Sequence, residues 1–266
     1  MPPLTTLALT AGLALLGALA GAAAGRVIPL FSRHEPEPDD ESGPPPPTCP
    51  HCGTEVPWPR WAPLPPRFLG NAGCQVCERR VRAPAVTPWL AALLVGILAF
   101  TSVDRSVTEI VAFSAFAIWG ALLTVVDARV HRLPNRLVLT FYPVALALLG
   151  LATLTTPDTT DRLVSALVGM AGLAAFYWVL WFIYPAGMGW GDVKMAGLLG
   201  LFLGWGGLGS VVSGTFLAFL FSATFGLTLM ALGRANRKTA IPFGPFMILG
   251  AFAVITAGDP LPLLLE

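Results

Sequence analysis

Eight apolar stretches, parted by short polar breaks, constrain this chain more than any other feature. They run over roughly 4–25, 87–103, 108–126, 136–154, 162–184, 193–206, 208–232 and 241–257. Most approach the ~20 residues that a helix needs to cross the hydrocarbon core. Only 12% of the chain is charged and 55% is hydrophobic, where a soluble domain carries about 25% charged residues. The expected fold is an all-α polytopic membrane protein of about eight transmembrane helices. The stretch 193–206 is short. Fused with its neighbour through Trp205-Gly-Gly207, it leaves seven spans. The net charge of +1 points to no nucleic-acid partner.

With eight spans the loops alternate between two sets. One holds Arg26, Arg33 and the segment 32–86, then Arg129, His131, Arg132 and Arg136, then Lys194, then Arg234, Arg237 and Lys238. The other holds Asp104, Arg105 and Glu109, then Asp158, Asp161 and Arg162, then Asp259 and Glu266. The first set is basic, so it faces the cytoplasm and both termini face outside. A cleaved signal peptide would explain the small residues Ala22-Ala-Ala24, but Met1-Pro-Pro-Leu-Thr-Thr lacks a basic n-region. Gly17, Gly21 and Gly25 form a small-xxx-small stripe that predicts helix packing for the first span.

Three regions follow: residues 1–31 as the first transmembrane helix, 32–86 as a cytoplasmic segment, and 87–266 as the membrane core. The middle segment opens with acidic Glu35-Pro-Glu-Pro-Asp-Asp-Glu41 and an extended proline run, Ser42-Gly-Pro-Pro-Pro-Pro47. It then holds the chain's four cysteines as two knuckles, Cys49-Pro-His-Cys52 and Cys74-Gln-Val-Cys77. Each knuckle offers two thiolates from one turn, and two complete a tetrahedral structural zinc site. The gap of 21 residues slightly exceeds the usual ribbon spacing of about 15–20. Paired disulfides or redox thiols are the competing reading, which a reducing compartment disfavours. His51 lies inside the first knuckle and reads as a bystander.

Two aspartates stand at the ends of apolar stretches. Asp127 lies in Leu122-Leu-Thr-Val-Val-Asp-Ala-Arg129 and Asp192 in Gly187-Met-Gly-Trp-Gly-Asp-Val-Lys194. A carboxylate in apolar membrane surroundings costs about 2.5–3.5 kcal/mol or more. Taken singly, Asp127 reads as an interfacial acid paired with arginine, and Asp192 as a helix N-cap. Together the charge pattern puts both at the cytoplasmic ends of their spans, where two carboxylates meeting across a water would form an aspartic hydrolase dyad. Gly189 and Gly191 permit close backbone approach beside Asp192, and a helix start there favours its ionised form. Lys194 is placed to tune the site or hold a lipid phosphate.

These pieces resemble one family. The paired knuckles after the first span, Val126-Asp127 with Leu133-Pro-Asn135, Gly189-Trp-Gly-Asp-Val-Lys194 followed by Gly197-Leu-Leu-Gly200, and Ile241-Pro-Phe-Gly-Pro-Phe246 are similar in order and content to the type IV prepilin peptidases, membrane GxGD aspartic proteases. The resemblance implies a bacterial cytoplasmic-membrane enzyme. Asp127 and Asp192 would be catalytic, with Gly189, Gly191, Lys194, Pro242 and Gly244 supporting or binding substrate. Its partners would be membrane lipids and prepilin or pseudopilin precursors, cut after a glycine that ends a short basic leader. Bifunctional members also methylate the new N-terminus with S-adenosylmethionine. They carry an acid where the cytoplasmic segment enters the second span, whereas this chain reads Arg82-Ala-Pro-Ala-Val-Thr-Pro-Trp89 with Thr87 near that place, so the second activity stays open. Two other classes compete. A proton-coupled transporter also keeps intramembrane acids and Gly/Pro-broken helices, but near the midplane. A membrane-anchored zinc scaffold would explain the cysteines and leave both aspartates without a role.

Overall fold

The computed structural model describes residues 4–33, 45–57, 74, 76–102, 104–157, 159–236, 239 and 241–259. The acidic stretch 35–41 and most of the linker between the knuckles lie outside the described residues. Eight α-helices form among the described residues, one in each apolar stretch. They are α1 (Leu4–Ala24), α2 (Val86–Thr101), α3 (Val107–Val130), α4 (Asn135–Thr155), α5 (Thr160–Ile183), α6 (Trp190–Trp205), α7 (Leu208–Ala231) and α8 (Gly244–Ala257). A 3-10 turn, Gly25–Leu30, extends α1, and another, Pro185–Gly187, precedes α6.

Five segments are long and apolar enough to cross a membrane: Leu4–Leu30 and helices α3, α4, α5 and α7. The other three are shorter, with 16 residues in α2, 16 in α6 and 14 in α8. At 1.5 Å per residue these extend about 21–24 Å, short of the ~30 Å hydrocarbon layer. For α6 the structure gives a reason. Every residue from Met195 to Trp205 is buried, so this helix is apolar all round because protein surrounds it.

The chain divides into two compact units. The first comprises residues 1–100 and 117–132, and the second 101–116 and 133–266. In the first, the glycine stripe of α1 packs on α2 as the spacing predicts. A Cβ at Gly21 would stand 2.6 Å from that of Ala91, and one at Gly17 2.9 Å from that of Val95. Such close approach is how helices gain dispersion contact where lipid supplies no hydrophobic drive.

In the second unit α5 and α6 are antiparallel and packed backbone to backbone. Gly200 lies against the Gly169 carbonyl, and a Cβ at Gly204 would come within 2.8 Å of the Ala166 Cα. Phe202 of α6 anchors the aromatic core, 5.4 Å from Phe113, 4.5 Å from Phe116 and 6.2 Å from Phe141 between ring centroids.

The far end of α6 is held by a polar cluster. Ser106 and Glu109 form a capping box at the start of α3: the Ser106 N–H donates to the Glu109 carboxylate (3.0 Å), and the Glu109 N–H to the Ser106 hydroxyl (3.3 Å). The same carboxylate accepts from Trp205 Nε1 at 2.8 Å and from Arg162 at 3.2 Å. Glu109 is buried, whereas the Arg162 side chain is 56% exposed. The buried indole bond therefore outweighs the solvated ion pair. Trp205→Phe is expected to cost about 1–3 kcal/mol in detergent unfolding titrations, and Arg162→Ala at most about 1 kcal/mol. The reverse order would show that the ion pair dominates.

Two helix ends differ from the expected boundaries. α3 runs on to Val130, so Asp127 sits in its last turn. The helix meets no breaker before His131, whose φ of 54° closes it in the left-handed region while its N–H donates to the Asp127 carbonyl (2.8 Å). α6 begins at Trp190, with Gly189 at the N-cap and Asp192 inside the first turn. Asp192 is thus not the cap that its isolated reading suggested.

Candidate functional site: an acid-bearing helix start and a four-thiol knuckle

Asp192 is half-buried and its N–H donates to the Gly189 carbonyl at 3.0 Å. The free N–H groups and the dipole at a helix start favour negative charge there. The two glycines have distinct surroundings. A Cβ at Gly191 would fall 2.8 Å from Leu133 Cβ, so this glycine lets α6 close on the Leu133-Pro-Asn135 turn. At Gly189 a Cβ would meet only the Asp192 carboxylate, at 3.4 Å, and the Gly191 nitrogen.

Lys194 is tied into the same turn. Its ammonium donates to Asn135 Oδ1 at 2.7 Å and lies 5.4 Å above the Trp190 ring. The Tyr142 hydroxyl donates to the Lys194 carbonyl at 2.5 Å. Asn135, the last residue of the sequence motif, thus fixes the Lys194 side chain and with it the first turns of α4 and α6.

Pro242 and Gly244 precede or open α8. Pro245 occupies its first turn, where a missing N–H costs nothing. Gly244 is buried. The motif's aromatic contacts come from a residue between them that the sequence did not single out. Phe243 packs on Phe219 (5.1 Å) and Tyr177 (6.3 Å), and Tyr177 in turn stacks on Phe219 at 6.0 Å.

Asp127 is 5% exposed on α3. It belongs to the first unit and Asp192 to the second, so each carboxylate is positioned by its own surroundings.

The four cysteines converge as expected. Their sulfurs all lie within 4.8 Å of one another, with Cys49–Cys77 at 3.9 Å and Cys52–Cys74 at 3.6 Å. A tetrahedral ion with bonds of about 2.3 Å spaces its sulfurs by about 3.8 Å, whereas a disulfide needs about 2.05 Å. The thiols are free and fit a metal ion. The two knuckles share one backbone plan. Gly53 N–H donates to the Cys49 carbonyl (2.9 Å) and Glu78 N–H to the Cys74 carbonyl (2.8 Å), with positive φ at both, 71° and 55°. The Thr54 hydroxyl and backbone N–H, beside the Cys52 sulfur, pull its thiol down to about 6. At Cys77 the Arg79 N–H acts in the same direction, but burial and the neighbouring sulfurs outweigh it and push the thiol up to about 11. Four thiols so close cannot all ionise without a cation among them.

Fold and site together define a polytopic helical membrane protein with a four-thiol knuckle able to hold a metal ion between its first two helices and an acid at a glycine-flanked helix start. Residues 114–232 match the type IV leader peptidase family, a span that includes Asp127 and Asp192. The chain is 30% identical over 236 residues to a prepilin leader peptidase/N-methyltransferase of Pectobacterium carotovorum subsp. carotovorum, covering 80% of this chain and 75% of that one. It is 29% identical over 228 residues to a protein of the same name from Burkholderia pseudomallei (strain K96243), covering 82% and 69%. A third, from Pseudomonas aeruginosa, is 29% identical over 216 residues, covering 79% and 71%. The chain belongs to the type IV leader peptidase family and is a peptidase. No solved structure matches it.

Proposed function

We propose that this chain is an aspartic endopeptidase of the bacterial cytoplasmic membrane. It removes the short basic leader of type IV prepilin-like precursors after a glycine, with Asp127 and Asp192 as its dyad. The observation that carries the reading is the placement of each acid: Asp127 in the last turn of α3 and Asp192 in the first turn of α6. Helix ends suit chemistry at a membrane face, whereas a transporter's acids belong near the midplane.

Two close carboxylates share one proton, because both cannot ionise cheaply. The ionised partner takes a proton from water as the water attacks the scissile carbonyl. The protonated partner donates to that carbonyl oxygen, and the leaving amine departs protonated. Gly189 leaves room for an extended backbone, and Gly191 supports the site by letting α6 close on the Leu133-Pro-Asn135 turn. Lys194, held by Asn135, fixes the turn, and Pro242 and Gly244 set the α8 entry that presents Phe243. The ion in the thiol knuckle is zinc, bound by Cys49, Cys52, Cys74 and Cys77, with a structural role. Methylation of the new N-terminus by S-adenosylmethionine, an activity named for the relatives, is a second candidate step. Thr87, where the family resemblance places an acid, is fully buried against Gly25 and Gly21 of the first span. Mass spectrometry of the cleaved product distinguishes the two cases by one methyl group.

Co-expression with a precursor that carries a basic leader, glycine and an apolar helix tests the main reading. A faster-migrating product should appear only when this chain is present, and an unshifted precursor would refute the reading. The orientation, with both termini outside and 32–86 inside, has a separate test. A reporter active only outside the cytoplasm should be active when fused after Asp104 and silent after Asn236. The opposite pattern would overturn the topology.

A further inference from the structure

The register of α5 against α6 places one further side chain beside Asp192. A Cβ at Gly197 would lie 3.3 Å from that of Ala174, and the Trp181 and Trp190 rings are 4.6 Å apart. These two antiparallel contacts set Tyr177 level with Lys194, within one helical turn of Asp192.

Tyr177 is 1% exposed. Its ring is held by Phe176 (5.6 Å), Phe219 and Phe243. Among the described residues, nothing hydrogen-bonds its hydroxyl. A tyrosine hydroxyl within an aromatic cage normally finds a partner. Phenylalanine would fill the same cage. An unpartnered hydroxyl beside an acid, fixed by a rigid ring, has the form of a donor waiting for a ligand oxygen.

We propose that Tyr177 is a third polar group of the Asp192 site, whose hydroxyl donates a hydrogen bond to a backbone carbonyl oxygen of the bound substrate peptide. The assignment rests on the aspartic-peptidase reading and extends it. The bond needs no side chain on the substrate, so it orients any extended peptide against Asp192. Phe243 and Phe219 hold the ring in place and act as positioning residues.

Tyr177→Phe tests this, with purified chain in detergent and a purified precursor as substrate. The expected result is a 10- to 100-fold fall in kcat with KM within about threefold. Thermal stability should be unchanged, because the substitution keeps the ring and removes no hydrogen bond within the protein. A structural hydroxyl would give the opposite signature, a lower melting temperature with kcat preserved in the folded fraction. Wild-type kcat, or a clear loss of stability, overturns the proposal. Asp192→Asn serves as the parallel control. If it cleaves at the wild-type rate, the reading beneath the proposal fails and the proposal falls with it. If it is dead while Tyr177→Phe is fully active, only the tyrosine assignment fails.

Discussion

Replacing either Asp127 or Asp192 by asparagine should lower leader cleavage by on the order of 10⁴-fold, and replacing both should do no further harm. Asparagine keeps the shape of the side chain and removes the proton that the pair shares. One carboxylate alone can neither activate water nor protonate the carbonyl in a single arrangement, so the dyad is lost as a unit. Non-additivity separates this reading from a structural one, because two independently stabilising acids would give damage that adds. Asp104→Asn and Asp161→Asn serve as controls. Both lie in the loop set assigned to the opposite face and should cleave normally. The measurement is the gel shift of a co-expressed precursor, followed by single-turnover rates for any variant with residual activity. Near wild-type processing by Asp127→Asn or Asp192→Asn would remove that residue from the dyad. If both variants process normally, a transporter or scaffold becomes the better account.

Spacing made the helices and the cysteine site legible in the sequence, and contact between distant segments hid the rest. Apolar run length set all eight helices to within a few residues, because membrane helices answer to hydropathy before any tertiary contact. The knuckles were legible because two C-x-x-C turns leave little freedom in where four sulfurs point. The apolar run opens three residues after the start of α6, since the helix's first turn carries Gly191 and Asp192 and so looks like a loop. Glu109 reads in the charge pattern as a loop acid, although Ser106 three residues earlier makes a capping box that is visible in the local pattern. Its bond to Trp205, 96 residues away, had no local signal. Nor had Tyr177, one aromatic in the run Phe176-Tyr-Trp178. It stands out only when its hydroxyl is seen to lack a partner where the α5–α6 register brings it near Asp192.

Removing metal from the knuckle should unfold the segment around the cysteines while sparing the helices. In the described parts of 45–82 only Cys49 and Val81 are buried hydrophobic residues. At about 25 cal/mol per Å² of apolar area, two such side chains cannot repay the ordering of some twenty residues at about 1–2 kcal/mol each. In zinc-finger peptides the bound metal supplies the folding free energy that so small an apolar core lacks. Purified protein is therefore expected to carry one zinc per chain. Cys52→Ser should reduce that content to below half, because three thiolates leave the tetrahedron incomplete. Chelation should open residues 45–82 to limited proteolysis, with little change in helical circular dichroism. Less than half an equivalent of metal in the wild type, or a content unmoved by Cys52→Ser, would refute the site. Full protease resistance after complete chelation would show instead that the knuckles are held by contacts other than the metal, leaving Glu78, with its positive φ, as strain without a purpose.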